Sequence, residues 1–284
     1  MNTSFKLIIF DNGSYRPSAT FALRNLAYEL SKIVSTDVEP ISLLHSSKID
    51  PVLIGGKPAS IIRRRFKEAI KRGEKHLLCI PLFLGPSLAI SEYLVTLIEE
   101  AKALDPEIDI RVAPPLAGSD FQKPDPRLAQ ILADQIEALM KKYTLKDFDV
   151  VLVDHGSPIK KLSELRNNVA EQLGELLHTK ALKVHPCSME RRHGAEYAFN
   201  EPLLGNVGQM PYQIKGRDLV VAMFFILPGR HAGEGGDVDG ILQELKDGGA
   251  IQAFYKTDLL GNHPMLLEIL KDRIEEGLNG LSKT

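Results

Sequence analysis

The chain contains the same half-molecule twice, and that duplication constrains the fold more than any other feature. The run Leu7-Ile8-Ile9-Phe10-Asp11-Asn12-Gly13-Ser14 returns as Val150-Val151-Leu152-Val153-Asp154-His155-Gly156-Ser157, so that position 12 maps onto 155 with an offset of 143. A second landmark, Pro81 to Glu92, returns as Met223 to Glu234, mapping Ala89 onto His231 with an offset of 142. A repeat at the midpoint of 284 residues favours two domains, each long enough to bury its own core. We therefore expect an N-terminal lobe over 1–143 and a C-terminal lobe over 144–284, divided at the charged stretch Lys141 to Asp147.

Each half opens with a β-branched apolar run, a Gly-Ser turn and then a helical pattern. In the second half Leu162, Leu165, Val169, Leu173 and Leu176 recur at helix spacing, and Ser157-Pro158 reads as the helix start. In the first half Ala22, Leu26, Leu30 and Ile33 do the same. Further on, Ile61 to Lys71, Ile90 to Leu104, Leu128 to Tyr143 and the segment from Met265 read as helices, while Leu77 to Leu84 and Ile108 to Val112 read as strands. Continuous apolar strands alternating with amphipathic helices predict α/β lobes, each a mainly parallel sheet covered by helices on both faces. The exception is His185 to Arg217, where Pro186, Gly194, Pro202, Gly205, Gly208 and Pro211 break any period; a functional loop or lid is expected there.

The totals exclude several classes. With 35 Lys and Arg against 37 Asp and Glu, the net charge of −2 gives no general case for nucleic acid or an anionic membrane. The apolar runs are far shorter than the roughly 20 residues a membrane span needs, and no secretory signal is apparent, so the cytoplasm is the expected address. Two cysteines, Cys79 and Cys187, are too few for a disulfide framework or thiolate cage. Cys79 reads as a buried inert thiol, and Cys187 as a residue of a strand-end loop after His185.

Chemistry belongs at the two landmarks, because ligands of open parallel sheets collect beyond the carboxyl ends of the strands. The second half has histidine at both landmarks, where the first has Asn12 and Ala89. Imidazole is a metal ligand and a proton acceptor near neutral pH, and Glu234, three residues past His231, adds a carboxylate. Two histidines and a carboxylate suit Co²⁺, Fe²⁺, Ni²⁺ or Zn²⁺, and spacing alone does not choose among them. Glu92 matches Glu234 in the half without these histidines, so a helix-capping role for both glutamates is an open alternative. His45, His76 and His178 read as surface or structural, His185 and His193 as peripheral, and His263 as a turn residue before Pro264.

Asp154-His155-Gly156-Ser157, the segment Leu227-Pro228-Gly229-Arg230-His231-Ala232-Gly233-Glu234, Ala113-Pro114-Pro115-Leu116 and Leu260-Gly261-Asn262-His263-Pro264 together resemble the class II tetrapyrrole chelatases of the CbiX and SirB type. The resemblance spans nearly the whole chain as two tandem family units. It implies two similar α/β lobes with a cleft between them, and ATP-independent insertion of Co²⁺ or Fe²⁺ into sirohydrochlorin or a related tetrapyrrole. The divalent metal (Co²⁺, Fe²⁺ or Ni²⁺) would be a substrate, with no organic cofactor. His155 and His231 fall on the positions that bind the metal and help remove the pyrrole protons, with Glu234 assisting. Arg230, Arg191 and Arg192 would pair with substrate carboxylates, and Gly156 and Ser157 would line the substrate turn. Met189, Tyr197 and Phe199 would cover the macrocycle, and Glu190 would assist the metal. The first half, lacking the histidines, would be a scaffold.

Two other readings compete. The missing first-half histidines suit a metal or tetrapyrrole carrier on the same fold without turnover. A serine hydrolase built on Ser157 and His155 is disfavoured, because residues two apart in a turn seldom orient as nucleophile and base and no Gly-x-Ser-x-Gly elbow is present. The oligomeric state stays open, since one chain already supplies two lobes.

Overall fold

The computed structural model describes residues 5–177, 183–209, 214 and 216–280; His178 and Pro211 lie outside the described residues. The chain forms two compact units, one of residues 1–119 with 267–284 and one of residues 120–266. Each holds a four-stranded parallel sheet.

In the first unit β1 (Lys6–Asp11), β2 (Val38–Ser42), β3 (His76–Pro81) and β4 (Asp109–Val112) take the order β2-β1-β3-β4. The connecting helices are α1 (Pro17–Val34), α2 (Ile62–Lys71) and α3 (Val95–Leu104), the last preceded by a π-helical turn over Ala89–Leu94. Ile8, Phe10, Leu77, Cys79, Phe66 and Leu97 meet in one core on a face of this sheet.

The second unit begins with α4 (Arg127–Tyr143), then β5 (Phe148–Asp154), α5 (Lys160–Leu177), β6 (Val184–Ser188), β7 (Asp218–Met223), α6 (Asp237–Asp247) and β8 (Phe254–Lys256). Its sheet order is β6-β5-β7-β8, the same plan. Val151, Val153, Cys187, Leu219, Val221, Leu242 and Met189 share a core. Pairing of apolar runs explains the parallel central strands: Val150 to Val153 and Leu219 to Met223 are buried on both faces, as crossover helices require.

The compact units are not cut at the expected 143/144 position. α4 ends the first sequence repeat but packs on α5 and β7 of the second unit, where Asn168 Nδ2 and Gln172 Nε2 donate to the carbonyls of Phe121 and Pro124 at 3.0 Å. The last helix, α7 (Met265–Leu278), ends the second repeat and from Leu267 belongs to the first unit. There Gly277 passes so close to Leu78 and Ala113 that a Cβ would meet both, and Arg111 Nη1 donates to the Leu278 carbonyl at 2.8 Å. Each unit thus carries the terminal helix of the other repeat.

Other expectations shift by a few residues. Ser157 does not cap α5 directly; its Oγ accepts from Ile159 N–H at 3.0 Å in a serine turn, and the helix begins at Lys160. The expected loop from His185 starts instead inside β6, and it contains two short 3₁₀ turns, Ala195–Asn200 and Leu204–Asn206. Cys187 is accordingly a buried strand residue, and both thiols are pushed up by burial, Cys79 to about 12. His263 takes the turn role, accepting from Met265 N–H at 3.3 Å at the start of α7. Among the described residues no helix is long and apolar enough to cross a membrane.

Candidate functional site

His155 and His231 stand together in the second unit, with ring centroids 4.4 Å apart and planes inclined by 40°. The topology brings them there. β5 and β7 are hydrogen-bonded neighbours, yet their outgoing connections run to opposite edges, β6 on one side and β8 on the other. The divergence opens a crevice at the carboxyl ends of the strands, where open α/β sheets place their ligands. His155 follows the last residue of β5, and His231 lies in the turn after β7.

The turn at His155 is fixed by what surrounds it. Gly156 has φ +92°, and a Cβ there would run into the Glu190 carbonyl. Glu190 N–H donates to the His155 carbonyl at 3.2 Å, and Glu190 Oε1 lies 3.1 Å from His155 Nε2. Below, the Asp154 carboxylate accepts from Ser188 Oγ at 2.7 Å, Gly156 N–H at 3.2 Å and Arg166 Nη1 at 3.4 Å. Arg166, almost wholly buried, also contacts Ser188 Oγ and the Asn200 carbonyl. Burial pushes the Asp154 carboxyl up, against the pull of Arg166 and Ser188.

At the other landmark, His231 Nδ1 lies 2.7 Å from Asp237 Oδ2, and Arg230 Nε approaches the same oxygen at 3.4 Å. The turn folds tightly on itself: Gly233 N–H donates to Gly229 O, Val238 N–H to His231 O, and a Cβ at Gly236 would meet the carbonyls of Arg230 and His231. The glycines of this segment therefore serve close backbone packing. Burial first, and the neighbouring His231 second, hold His155 below the ordinary imidazole range, while Glu190 and Asp154 pull the other way.

The structure brings together the two predicted histidines but not Glu234, which is exposed on the turn; the carboxylates beside the imidazoles are Glu190 and Asp237. Arg230 stands largely in solvent at the rim. Arg191 is engaged within its own loop, 2.6 Å from Glu201 Oε1 and donating to the carbonyls of Arg192 and Gly194, whereas Arg192 lies over the Tyr197 ring at 5.9 Å. Met189 is buried in the core and does not form a cover. Tyr197 and Phe199 pair edge to face and remain partly exposed. Gly156 and Ser157 shape the turn, the Ser157 N–H and carbonyl both held by Asn200. Asp237, Asn200 and Arg166 escaped the sequence reading. The available signal for Asp237 was an acid opening the apolar period Val238, Ile241, Leu242 and Leu245. As the side chains stand, no three His, Cys, Asp or Glu among the described residues are grouped to hold a metal ion.

The fold defines a class: two parallel α/β units of chelatase-like architecture. SirB from Bacillus subtilis with Fe³⁺ superposes with a TM-score of 0.70 at 16% identity, covering 99% of this chain and 98% of that one. The sirohydrochlorin chelatase SirB from Bacillus subtilis subspecies spizizenii in complex with cobalt gives 0.66 at 16%, with coverages of 99% and 98%. CbiX, described as the terminal enzyme of siroheme biosynthesis in denitrifying bacteria, gives 0.60 at 15%, with coverages of 96% and 98%. Residues 149–277 match the CbiX family model, and that segment contains both histidines, Glu190 and Asp237. The resemblance to CbiX and SirB holds in the fold of the whole chain and in the family match of the second repeat. No curated protein matches by sequence.

Proposed function

We propose that this protein inserts a divalent metal into a tetrapyrrole of the sirohydrochlorin type without ATP, with Co²⁺ or Fe²⁺ as the metal substrate and Ni²⁺ as a further candidate. The observation that carries the reading is the facing pair His155 and His231 at the switch point of a sheet whose segment matches CbiX.

Metallation delivers a dication while two pyrrole N–H protons leave. The site therefore needs groups that bind metal loosely and accept protons near neutral pH. A depressed His155 suits this, because the imidazole stays neutral and keeps a lone pair at neutral pH. In this reading His155 and His231 receive the metal and take up the pyrrole protons. Glu190 is the adjoining carboxylate, offsetting charge as the dication arrives. Glu234, at the solvent side of the turn, serves as the outer proton acceptor. Arg230 and Arg192 meet the carboxylates of the macrocycle, Arg191 braces the loop, and Gly156 with Ser157 keeps the turn flat enough for its approach. The first repeat, with Asn12 and Ala89 at the two landmarks, acts as scaffold.

The test is anaerobic absorbance of sirohydrochlorin with substoichiometric protein, adding Co²⁺, Fe²⁺ or Ni²⁺ against protein-free controls. Several turnovers per protein above control, lost in His155→Ala and in His231→Ala, are expected. A spectral change that saturates at one equivalent would instead identify a carrier, the reading that Asn12 and Ala89 at the first-repeat landmarks favour.

A further inference from the structure

The two facing histidines do not offer the same nitrogen. His231 directs Nδ1 at the Asp237 carboxylate, whereas His155 directs Nε2 at Glu190. An ionised carboxylate only accepts hydrogen bonds, so the one proton of a neutral imidazole sits on the nitrogen that faces it. We propose that Asp237 is a positioning residue that holds His231 as the Nδ1–H tautomer and thereby presents Nε2, with its lone pair, to the incoming metal.

The backbone makes this pairing a built feature. Asp237 is the first residue of α6, and the turn that carries His231 folds back on that helix start, with Val238 N–H donating to His231 O at 3.1 Å and Asp237 N–H reaching Arg230 O at 3.4 Å. Gly236, between them, admits no Cβ because the Arg230 and His231 carbonyls occupy the place. The six-residue separation is thus closed by main-chain bonds before the side chains meet. Arg230 Nε lies 3.4 Å from the same carboxylate oxygen.

The first repeat supplies an internal comparison. The offset of 142 that maps His231 onto Ala89 maps Asp237 onto Val95, which continues the π-helical turn Ala89–Leu94 into α3, whereas Asp237 opens α6 after the extended Gly236. Histidine and carboxylate are missing together where the metal-facing role is missing. His155 contrasts with its neighbour: its Nε2 is engaged by Glu190, so that contact must open or the metal must approach through Nδ1.

The inference rests on the chelatase reading for its purpose, yet the tautomer belongs to the free protein and is measured without tetrapyrrole. Long-range ¹H–¹⁵N correlation spectra of the full chain, labelled at histidine and recorded above neutral pH, separate protonated from lone-pair nitrogens; His231→Gln assigns the signal. The wild type is expected to show Nδ1 protonated and Nε2 bare. Asp237→Ala should shift His231 toward the Nε2–H form, and Asp237→Asn, which keeps an acceptor oxygen, should restore it in part. Titration with Co²⁺ alone should show affinity weakened by roughly 10-fold or more in Asp237→Ala, the usual cost of losing a ligand's carboxylate partner, with an unchanged urea midpoint. A wild-type His231 protonated at Nε2, or an unchanged spectrum in Asp237→Ala, would overturn the proposal. The expected tautomer in a protein that never metallates sirohydrochlorin would leave Asp237 in place and remove the chelatase reading alone.

Discussion

Asn200 grips Ser157 from both sides, its Oδ1 accepting the Ser157 N–H and its Nδ2 donating to the Ser157 carbonyl, each at 2.9 Å. The same Oδ1 accepts from Ser163 Oγ at 3.0 Å. With Arg166 bound to Asp154, the segment 154–157 is tied on either side of His155. The first repeat keeps the frame and lacks the ties. Ser42 stands opposite Asp11 as Ser188 stands opposite Asp154, and Thr20 takes the place of Ser163, but Leu23 and Pro58 replace Arg166 and Asn200. The buried oxygens Asp11 Oδ1 and Thr20 Oγ1 are left without hydrogen-bond partners.

Removing the ties should cost stability in proportion to what they leave buried. Asn200→Ala strands the Ser157 backbone groups and should destabilise by about 1–3 kcal/mol. Arg166→Leu, which copies the first repeat, strands a buried Asp154 and should cost more, about 3–5 kcal/mol. Urea unfolding followed by circular dichroism ranks the two, and an Arg166→Leu variant as stable as the wild type would refute the account.

Asp11 makes a pH prediction with a definite sign. Burial pushes its carboxyl up to about 6 from the usual 3.8, against hydrogen bonding from Ser42. A folded pKa above the unfolded one means that the folded chain binds the proton more tightly. This contribution to stability is therefore present below about pH 4 and is lost as pH rises through about 6. The ionised form costs on the order of 1–3 kcal/mol at neutral pH. In Asp11→Asn that slope should vanish, so the difference in melting temperature between wild type and variant should change between pH 4 and 7 and stay flat above. A constant difference across this window would show that Asp11 is not the titrating group.

The histidine pair can be checked by titration in the free protein. Burial and the charge of His231 both lower His155. Since the second cause vanishes in His231→Ala, the His155 midpoint, followed by its ring Cε1–H resonance, should rise toward the ordinary value and stop short of it. A midpoint that falls would mean that Glu190 and Asp154 depend on His231 for their effect.

Regular periods made most elements legible. α2 and α4 begin within a residue of the spacing-based expectation, and the apolar runs located β1, β3 and β5 because central parallel strands are buried on both faces. Of the edge strands, β4 was legible as Ile108 to Val112 and the other three were not. β6 contains His185 and Pro186, β2 contains Glu39 and Pro40, and β8 has only three residues, so none presents an apolar run. Reading β6 as loop hid the register that puts Ser188 opposite Asp154 and Glu190 beside His155. The pairing of the histidines was readable from the repeat offset, but which carboxylate joins them was not. Glu234 is nearer in sequence, yet the tight turn from Gly229 to Gly236 carries it outward and brings Asp237 back. Nor did the repeat boundary reveal that the terminal helices of the two repeats are exchanged between units, because each helix has the same amphipathic pattern in either place.

Two glycines in equivalent turns separate shape from chemistry. Gly13 and Gly156 both have φ +92°, and a Cβ on either would run into a carbonyl, that of Leu44 or of Glu190. Alanine at each position must shift the turn and should cost at least on the order of 1–3 kcal/mol, with similar losses in thermal stability. The consequences for metal should diverge. In Gly156→Ala the displaced turn carries His155 away from His231 and Glu190 away from His155, so Co²⁺ binding measured with the metal alone should weaken by roughly 10-fold or more. In Gly13→Ala the displaced residue is Asn12, which holds no metal in the proposed scheme, so Co²⁺ affinity should stay within about 2-fold at a temperature where the protein is folded. Equal losses in the two variants would mean that the Asn12 turn contributes to metal binding and that the first repeat is more than scaffold.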